Sequence, residues 1–240
     1  HYDQDKKWLK ESIKKTADMG SPDLVSIFPE SSVGINPDTP TNWISGFIRK
    51  NENKFFNSLK YNGYIYDKKI LVPFGEYFPF SNILVKYFPN NPLIQSSLTK
   101  GKNEQEFPSN ITPLICYEVI FPSFVRSGVS KDTVLLVNIS NDAWFGKFSG
   151  PKQHFVQARF RSVELGIPMA RSSNRGYSGL INPIGKVISE TSSDKNMYID
   201  VEIPQKIEST FYRKHGDLLT YFLIVLFFII GYAVRESKDS

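Results

Sequence analysis

Apolar and polar positions change period several times along this chain of 240 residues, and each change predicts an element. Over residues 5–19, Leu9, Ile13 and Ala17 recur among lysines at helical spacing, and Gly20 follows as a stop. That pattern predicts an amphipathic helix. Ser21-Pro22-Asp23 reads as a turn, and the short apolar run over 24–28 predicts a strand that delivers Glu30. Residues 31–41, broken by Pro37 and Pro40, read as loop. A hairpin is predicted over 55–66 around Asn62-Gly63, a common turn dipeptide. Residues 78–108, aromatic and interrupted by prolines, read as an insertion or lid.

The second half alternates more regularly. A strand is predicted over 111–116, a helix over 119–128, and a strand over 133–137. The last has no polar alternation, as expected of a strand covered on both faces. Ser149-Gly150-Pro151 opens a helix running to about Leu165, with proline suited to its first turn. Short strands follow around Met169, Leu180 and Val187, and a last one over 197–203. Strands alternating with helices predict a layered α/β domain. Residues 218–234 carry no charge, and Tyr221 and Tyr232 lie near their ends. A segment with no polar face, at the short end of the roughly 17–25 residues that span a bilayer, predicts a transmembrane helix. Lysines and arginines flank it almost equally, so charge does not orient it.

Composition narrows the function classes. Lys+Arg of 29 against Asp+Glu of 24 gives a net charge of +5, and the basic residues are scattered. No nucleic-acid-binding stripe results, although a mild attraction to anionic membrane surfaces does. One cysteine excludes an internal disulfide. His1, His154 and His215 lie far apart, so no metal site and no cofactor is expected. The chain opens on histidine rather than methionine and so reads as a fragment or processed product.

The candidate chemistry starts at Cys116, in Ile115-Cys116-Tyr117-Glu118 at the end of an apolar run. A thiol there reads as a nucleophile, which needs a base and nearby positive charge. Glu30 in Phe28-Pro29-Glu30 fits a general base. Lys68 or Lys69 fits the cation for thiolate and oxyanion, and alternation does not separate the two. The backbone N–H of Tyr117 is a natural second oxyanion donor. Glu76 is placed to orient the lysine or the base, and Glu118 to support the site or line its entrance. Trp144 and Phe145 read as a pocket rim. His154 is set aside as a catalytic partner because it falls at a helix start.

Phe28-Pro29-Glu30, then Tyr66-x-Lys68-x-x-Leu71-Val72-Pro73-Phe74-Gly75-Glu76, then Ile115-Cys116-Tyr117-Glu118 resemble the nitrilase (carbon–nitrogen hydrolase) superfamily. Residues 138–146, Gly150-Pro151-x-Gln153-His154 and Arg171-x-x-Asn174-x-Gly176-x-Ser178 extend the likeness to its apolipoprotein N-acyltransferase branch. The resemblance implies a nitrilase-like α-β-β-α sandwich over 1–212, with its first strand missing, and a transmembrane helix with a short tail over 213–240. It implies a Glu30–Lys68–Cys116 triad, with Lys68 chosen by the Tyr-x-Lys pattern, and supporting roles for Glu76, Tyr117 and Glu118. The implied reaction moves an acyl chain from a phospholipid, through a Cys116 thioester, to the N-terminal diacylglyceryl-cysteine of an apolipoprotein. The implied location is the outer face of a bacterial inner membrane. Members carry a membrane domain before the catalytic one that has no counterpart in this sequence, and Phe28 stands where a tryptophan is more usual. Two rivals use the same residues: an amidase in which water resolves the thioester, and a catalytically silent membrane-anchored binding module.

Overall fold

The computed structural model describes residues 24–88, 97–146, 148–191 and 198–239. The helix expected over 5–19 lies outside them. Two sheets form the body. The first has the order β1 (Ser26–Ile27), β2 (Trp43–Asn51), β3 (Lys54–Tyr61) and β4 (Tyr64–Asp67). β1 runs parallel to β2, and β2, β3 and β4 are antiparallel neighbours. The hairpin turns at Asn62 and Gly63, both at positive φ, as the sequence requires. The second sheet has the order β5 (Ile111–Ile115), β6 (Leu135–Asn141), β7 (Met169–Asn174), β8 (Ser178–Ile181) and β9 (Val187–Thr191). β5, β6 and β7 are parallel, and β8 and β9 extend the sheet antiparallel.

The central strands are buried on both faces, and their side chains sort into two cores. Ile115, Leu135, Val137 and Ile139 meet Ile44, Leu59 and Tyr66 between the sheets. Leu114, Leu136, Met169 and Ile181 pack with Phe155, Ala158 and Leu165 of α3 (Gly150–Leu165) and with Val125 of α2 (Pro122–Ser127). The described residues thus give helix, sheet and sheet in layers. The remaining helices are α1 (Ser81–Tyr87), α4 (Phe211–His215) and α5 (Leu218–Asp239).

The structure alters four sequence readings. The helix expected over 119–128 is a 3-10 turn (Cys116–Ile120) and then α2, because Pro122 opens a new helix and gives no backbone donor. The strand expected over 133–137 runs Leu135–Asn141, since Asn138 and Ser140 are buried with hydrogen-bond partners. Residues 198–203 form no strand; they lie along the surface, with Tyr198 and Ile203 exposed. The aromatic insertion contains α1.

The expected membrane segment is helical, as α5, with apolar side chains exposed around its circumference, from Leu226 at 37% to Phe228 at 76%. Among the described residues, no helix is long and apolar enough to cross a membrane. The charge-free stretch 218–234 holds 17 residues. At 1.5 Å rise it measures about 25 Å, short of a hydrocarbon core of about 30 Å.

Gly46 on β2 fixes where the sheets meet. A Cβ there would lie 2.6 Å from the Glu30 Cα, 2.7 Å from the Pro29 carbonyl and 2.8 Å from Ile139 Cδ1. Two of those contacts are backbone and the third is a fully buried core side chain, so none can swing aside. Gly46→Ala is expected to cost about 1–3 kcal/mol by overpacking, measured by urea denaturation, and to displace Glu30 enough to slow alkylation of Cys116.

Candidate active site

Four strand ends converge at the gap between the sheets. Glu30 follows β1, Lys68 follows β4, Cys116 follows β5, and Asn141 ends β6. The carboxyl ends of parallel strands commonly host ligand sites. All three residues expected to do chemistry are buried: Glu30 at 6%, Lys68 at 1% and Cys116 at 7%.

Lys68 is the central charge. Its Nζ lies 3.5 Å from Glu30 Oε1, and 2.9 Å and 2.8 Å from the two Glu76 carboxylate oxygens. Burial works against the ammonium, but Glu30, Cys116 and Glu76 more than offset it and hold Lys68 protonated above the usual lysine range. The Asn141 N–H donates to Glu30 Oε2 at 2.7 Å, and the Val72 N–H donates to Glu76 Oε2 at 2.8 Å. Lys69 is not an equivalent: its Nζ donates to the Asn103 carbonyl, away from the glutamates. The structure therefore separates two lysines that alternation left open.

Asn57, on β3, completes the cluster. Its Nδ2 donates to Glu30 Oε1 at 2.5 Å and to Glu76 Oε1 at 2.8 Å, bridging the two carboxylates. Its backbone carbonyl accepts the Lys68 N–H at 2.8 Å. Sequence reading passed over it, although Asn57-Ser58 interrupting an aromatic and apolar strand was a legible sign of buried polar work. Ser58 and Arg49 both bind Asp67, which precedes Lys68, with Arg49 in a two-pronged pair at 2.8 Å and 2.6 Å.

Cys116 opens the 3-10 turn with φ of 49°. Such a left-handed residue other than glycine costs on the order of 1–3 kcal/mol and persists only where its surroundings impose it. Burial pushes the thiol up to about 12, Glu30 adds to the rise, and Lys68, the Ser140 hydroxyl and Arg171 pull the other way. At rest it is a thiol, so any attack by its sulfur would require deprotonation as well.

Glu118 lies under the elbow, wholly buried, and so does not line an entrance. It accepts from the N–H groups of Ile115, Lys69 and Ile70 and from the Tyr66 hydroxyl, tying β5 to the chain after β4. The Tyr117 ring packs edge-on against Phe121, 5.0 Å between centroids. Trp144 is 73% exposed and Phe145 42%, in the 3-10 turn directly after Asn141. Phe74 and Phe80, at 72% and 76%, flank Glu76 in sequence. Both segments that bind the charged cluster therefore carry exposed aromatics. His154 does not approach as a base for the thiol; its Nε2 faces the Cys116 carbonyl at 3.2 Å. Among the described residues, no group of histidine, cysteine or acidic side chains is arranged to hold a metal.

Two pH responses follow. With the thiol near 12, alkylation of Cys116 by iodoacetamide should climb about tenfold per pH unit from about 7 to 10 without a plateau. Lys68→Met should slow it further by removing the opposing cation. Burial raises Glu118 from 4.5 to about 7, against the pull of its backbone donors. The folded state then holds that proton more tightly than the unfolded state. Its contribution, about 3 kcal/mol, is fully present below pH 4.5 and lost as the pH rises through 7. Urea denaturation from pH 4 to 8 should show that slope, and Glu118→Gln should abolish it.

The carbon–nitrogen hydrolase family profile matches residues 12–212. An apolipoprotein N-acyltransferase of Rickettsia prowazekii is 40% identical over 196 residues, covering 80% of this chain and 38% of that protein. One of Vibrio parahaemolyticus is 32% identical, covering 82% of this chain and 42% of the relative. The chain thus spans well under half the length of these curated relatives. Among solved structures, Saccharomyces cerevisiae Nit3 of the nitrilase superfamily superposes with a TM-score of 0.52 at 16% identity, over 78% of each chain. A Nesterenkonia AN1 amidase of that superfamily gives 0.53 at 14%, over 80% of this chain and 81% of its own. At those identities the likeness concerns the fold.

Proposed function

The chain belongs to the carbon–nitrogen hydrolase family, and on that premise we propose that it is the catalytic part of an apolipoprotein N-acyltransferase. It would take a fatty acyl chain from a phospholipid and pass it to the N-terminal diacylglyceryl-cysteine of an apolipoprotein. The observation that supports the thioester chemistry is the buried Lys68 ammonium held between Glu30 and Glu76 beside a strained cysteine elbow, and the exposed apolar surface of α5 and of the site's edge is what favours a lipid substrate.

Glu30 takes the Cys116 proton as Sγ attacks the ester carbonyl carbon of the phospholipid. A C–S bond forms, and the negative charge moves to the carbonyl oxygen. The Lys68 ammonium and the Tyr117 N–H stabilise that oxyanion. When the tetrahedral species collapses, the C–O bond breaks, and Glu30 returns the proton to the leaving oxygen. Lysophospholipid departs and a thioester remains. The lipoprotein's α-amine then attacks the thioester carbon, Glu30 takes the amine proton, and the C–S bond breaks. The proton returns to sulfur, and an amide is released. Glu76 and Asn57 keep Lys68 and Glu30 in place throughout. No step draws on a metal or cofactor.

The exposed apolar surface favours lipid substrates over the small amides of an amidase. We read α5 as a membrane anchor, its shortfall in length met by local thinning of the bilayer and by snorkelling of Arg235 near its far end. The aromatics at Phe74, Phe80, Trp144 and Phe145 then form the rim at which acyl chains leave the bilayer. The setting inferred is the bacterial inner membrane, with this domain on its outer face.

The membrane-extracted protein, in its longest natural form, should gain a fatty-acyl mass on incubation with phospholipid, as read by intact-mass spectrometry. Hydroxylamine should remove the adduct. Cys116→Ser should abolish it, and Glu30→Gln and Lys68→Met should each reduce its rate of formation at least about 100-fold. Adduct formation followed by hydrolysis, with no transfer to a lipopeptide amine, would instead support an amidase-type thioesterase. A folded protein with no adduct would overturn the reading.

A further inference from the structure

Behind the nucleophile lies a second buried polar cluster that none of the steps above uses. Asp142 (0% exposed), His154 (4%) and Arg171 (3%) come from the turn after β6, from α3 and from β7. The Arg171 Nη2 donates to both Asp142 oxygens, at 3.0 Å and 2.8 Å. Arg171 Nη1 donates to Asn138 Oδ1, and Asn138 Nδ2 donates to the Leu114 carbonyl on β5. The Ser140 hydroxyl donates to Asp142 Oδ1 at 2.7 Å. His154 Nδ1 lies 2.9 Å from Asp142 Oδ1 and 3.0 Å from Arg171 Nη2. Its Nε2 lies 3.2 Å from the Cys116 carbonyl oxygen. A carbonyl can only accept, so this nitrogen carries a hydrogen in either charge state of the ring.

The consequence runs through one peptide plane. The Cys116–Tyr117 peptide is trans and planar, so its carbonyl and its N–H point in opposite directions. Fixing the carbonyl on His154 turns the Tyr117 N–H away from the α3 side of the sheet. Tyr117 also lies in the first turn of a 3-10 helix, where an N–H has no intrahelical acceptor. We propose that His154, held by Asp142 and Arg171, is a positioning residue that aims the Tyr117 N–H at the oxyanion by gripping the Cys116 carbonyl. This rests on Cys116 being the nucleophile, as argued above. It assigns His154 no part in proton transfer and no contact with substrate. The left-handed backbone of Cys116 is held independently from its other side, where Glu118 accepts from the preceding Ile115 N–H at 2.8 Å.

Two reactions of the same sulfur separate the alternatives. Acylation by a short-chain p-nitrophenyl ester builds an oxyanion; alkylation by iodoacetamide does not. In the full natural protein, His154→Phe should keep the ring volume and lose the donor. The acylation rate constant should fall roughly 10- to 100-fold. KM should stay within about twofold and alkylation at fixed pH within about threefold, since the groups facing the thiol, Glu30, Lys68, Ser140 and Arg171, remain. His154→Gln, which returns an N–H at similar reach, should recover most of the acylation, while His154→Asn, whose donor is retracted, should resemble the phenylalanine variant. The Gln–Asn pair gives the same comparison if the phenylalanine variant does not fold. Acylation and alkylation falling together would make His154 merely structural, and unchanged acylation would remove it from the mechanism; either overturns the proposal. If the unsubstituted protein releases p-nitrophenol no faster than Cys116→Ser, the nucleophile assignment itself fails. That outcome is distinct from both others.

Discussion

A lysine ammonium kept almost wholly out of water dictates much of this structure. Lys68 is 1% exposed, and a buried charge persists only when paired and hydrogen-bonded. Two glutamates compensate it and would repel each other without it. Asn57 gives both amide hydrogens to them, and backbone N–H groups from Val72 and Asn141 satisfy the outer oxygens. The requirement then spreads outward. Gly46 must be bare so that the Glu30 backbone can approach, and Asp67 must be pinned by Arg49 and Ser58 so that Lys68 enters at the right height. The first sheet reads as a frame for one cation.

The second sheet solves a different problem, that of holding a backbone bend. Three parallel strands end on the same side, and the residues just past two of them are Cys116 and Asp142. The polar residues at 138, 140 and 171 look misplaced in central strands. In the structure they join an Asp–His–Arg cluster beneath the bend. Each sheet thus gives up part of its apolar packing at one end, and the two concessions meet where Cys116 sits.

The sequence made two strand ends legible because Glu30 and Cys116 each follow a mostly apolar run, 24–28 broken only by Ser26 and 111–115 broken only by Thr112, whereas Lys68 follows Asp67 and has no such signal. The order of the sheets and the sharing of Glu30 between Lys68, Asn57 and Asn141 were not legible, since they depend on contacts as many as 111 positions apart. His154 was underrated for a local reason. The buried stripe of α3 is 151, 154, 155, 158, 161, 162 and 165, at helical spacing, but it contains a histidine, an arginine and a serine. Polar members hide an inward face from any reading that equates inward with apolar. Conversely, the apolar tail was easy to see, because a helix with no polar side needs no partner to be noticed.

The resting state of the thiol carries one more consequence. Oxidants attack thiolates, and the steps beyond sulfenic acid are largely irreversible. A cysteine whose proton is held up to about 12 presents almost no thiolate to a passing peroxide. On the proposed reading, the burial that would delay proton removal until a substrate arrives also acts as a preservative. The sulfur stays chemically quiet, and these 240 residues, which hold one cysteine, offer it no second thiol for rescue by disulfide exchange.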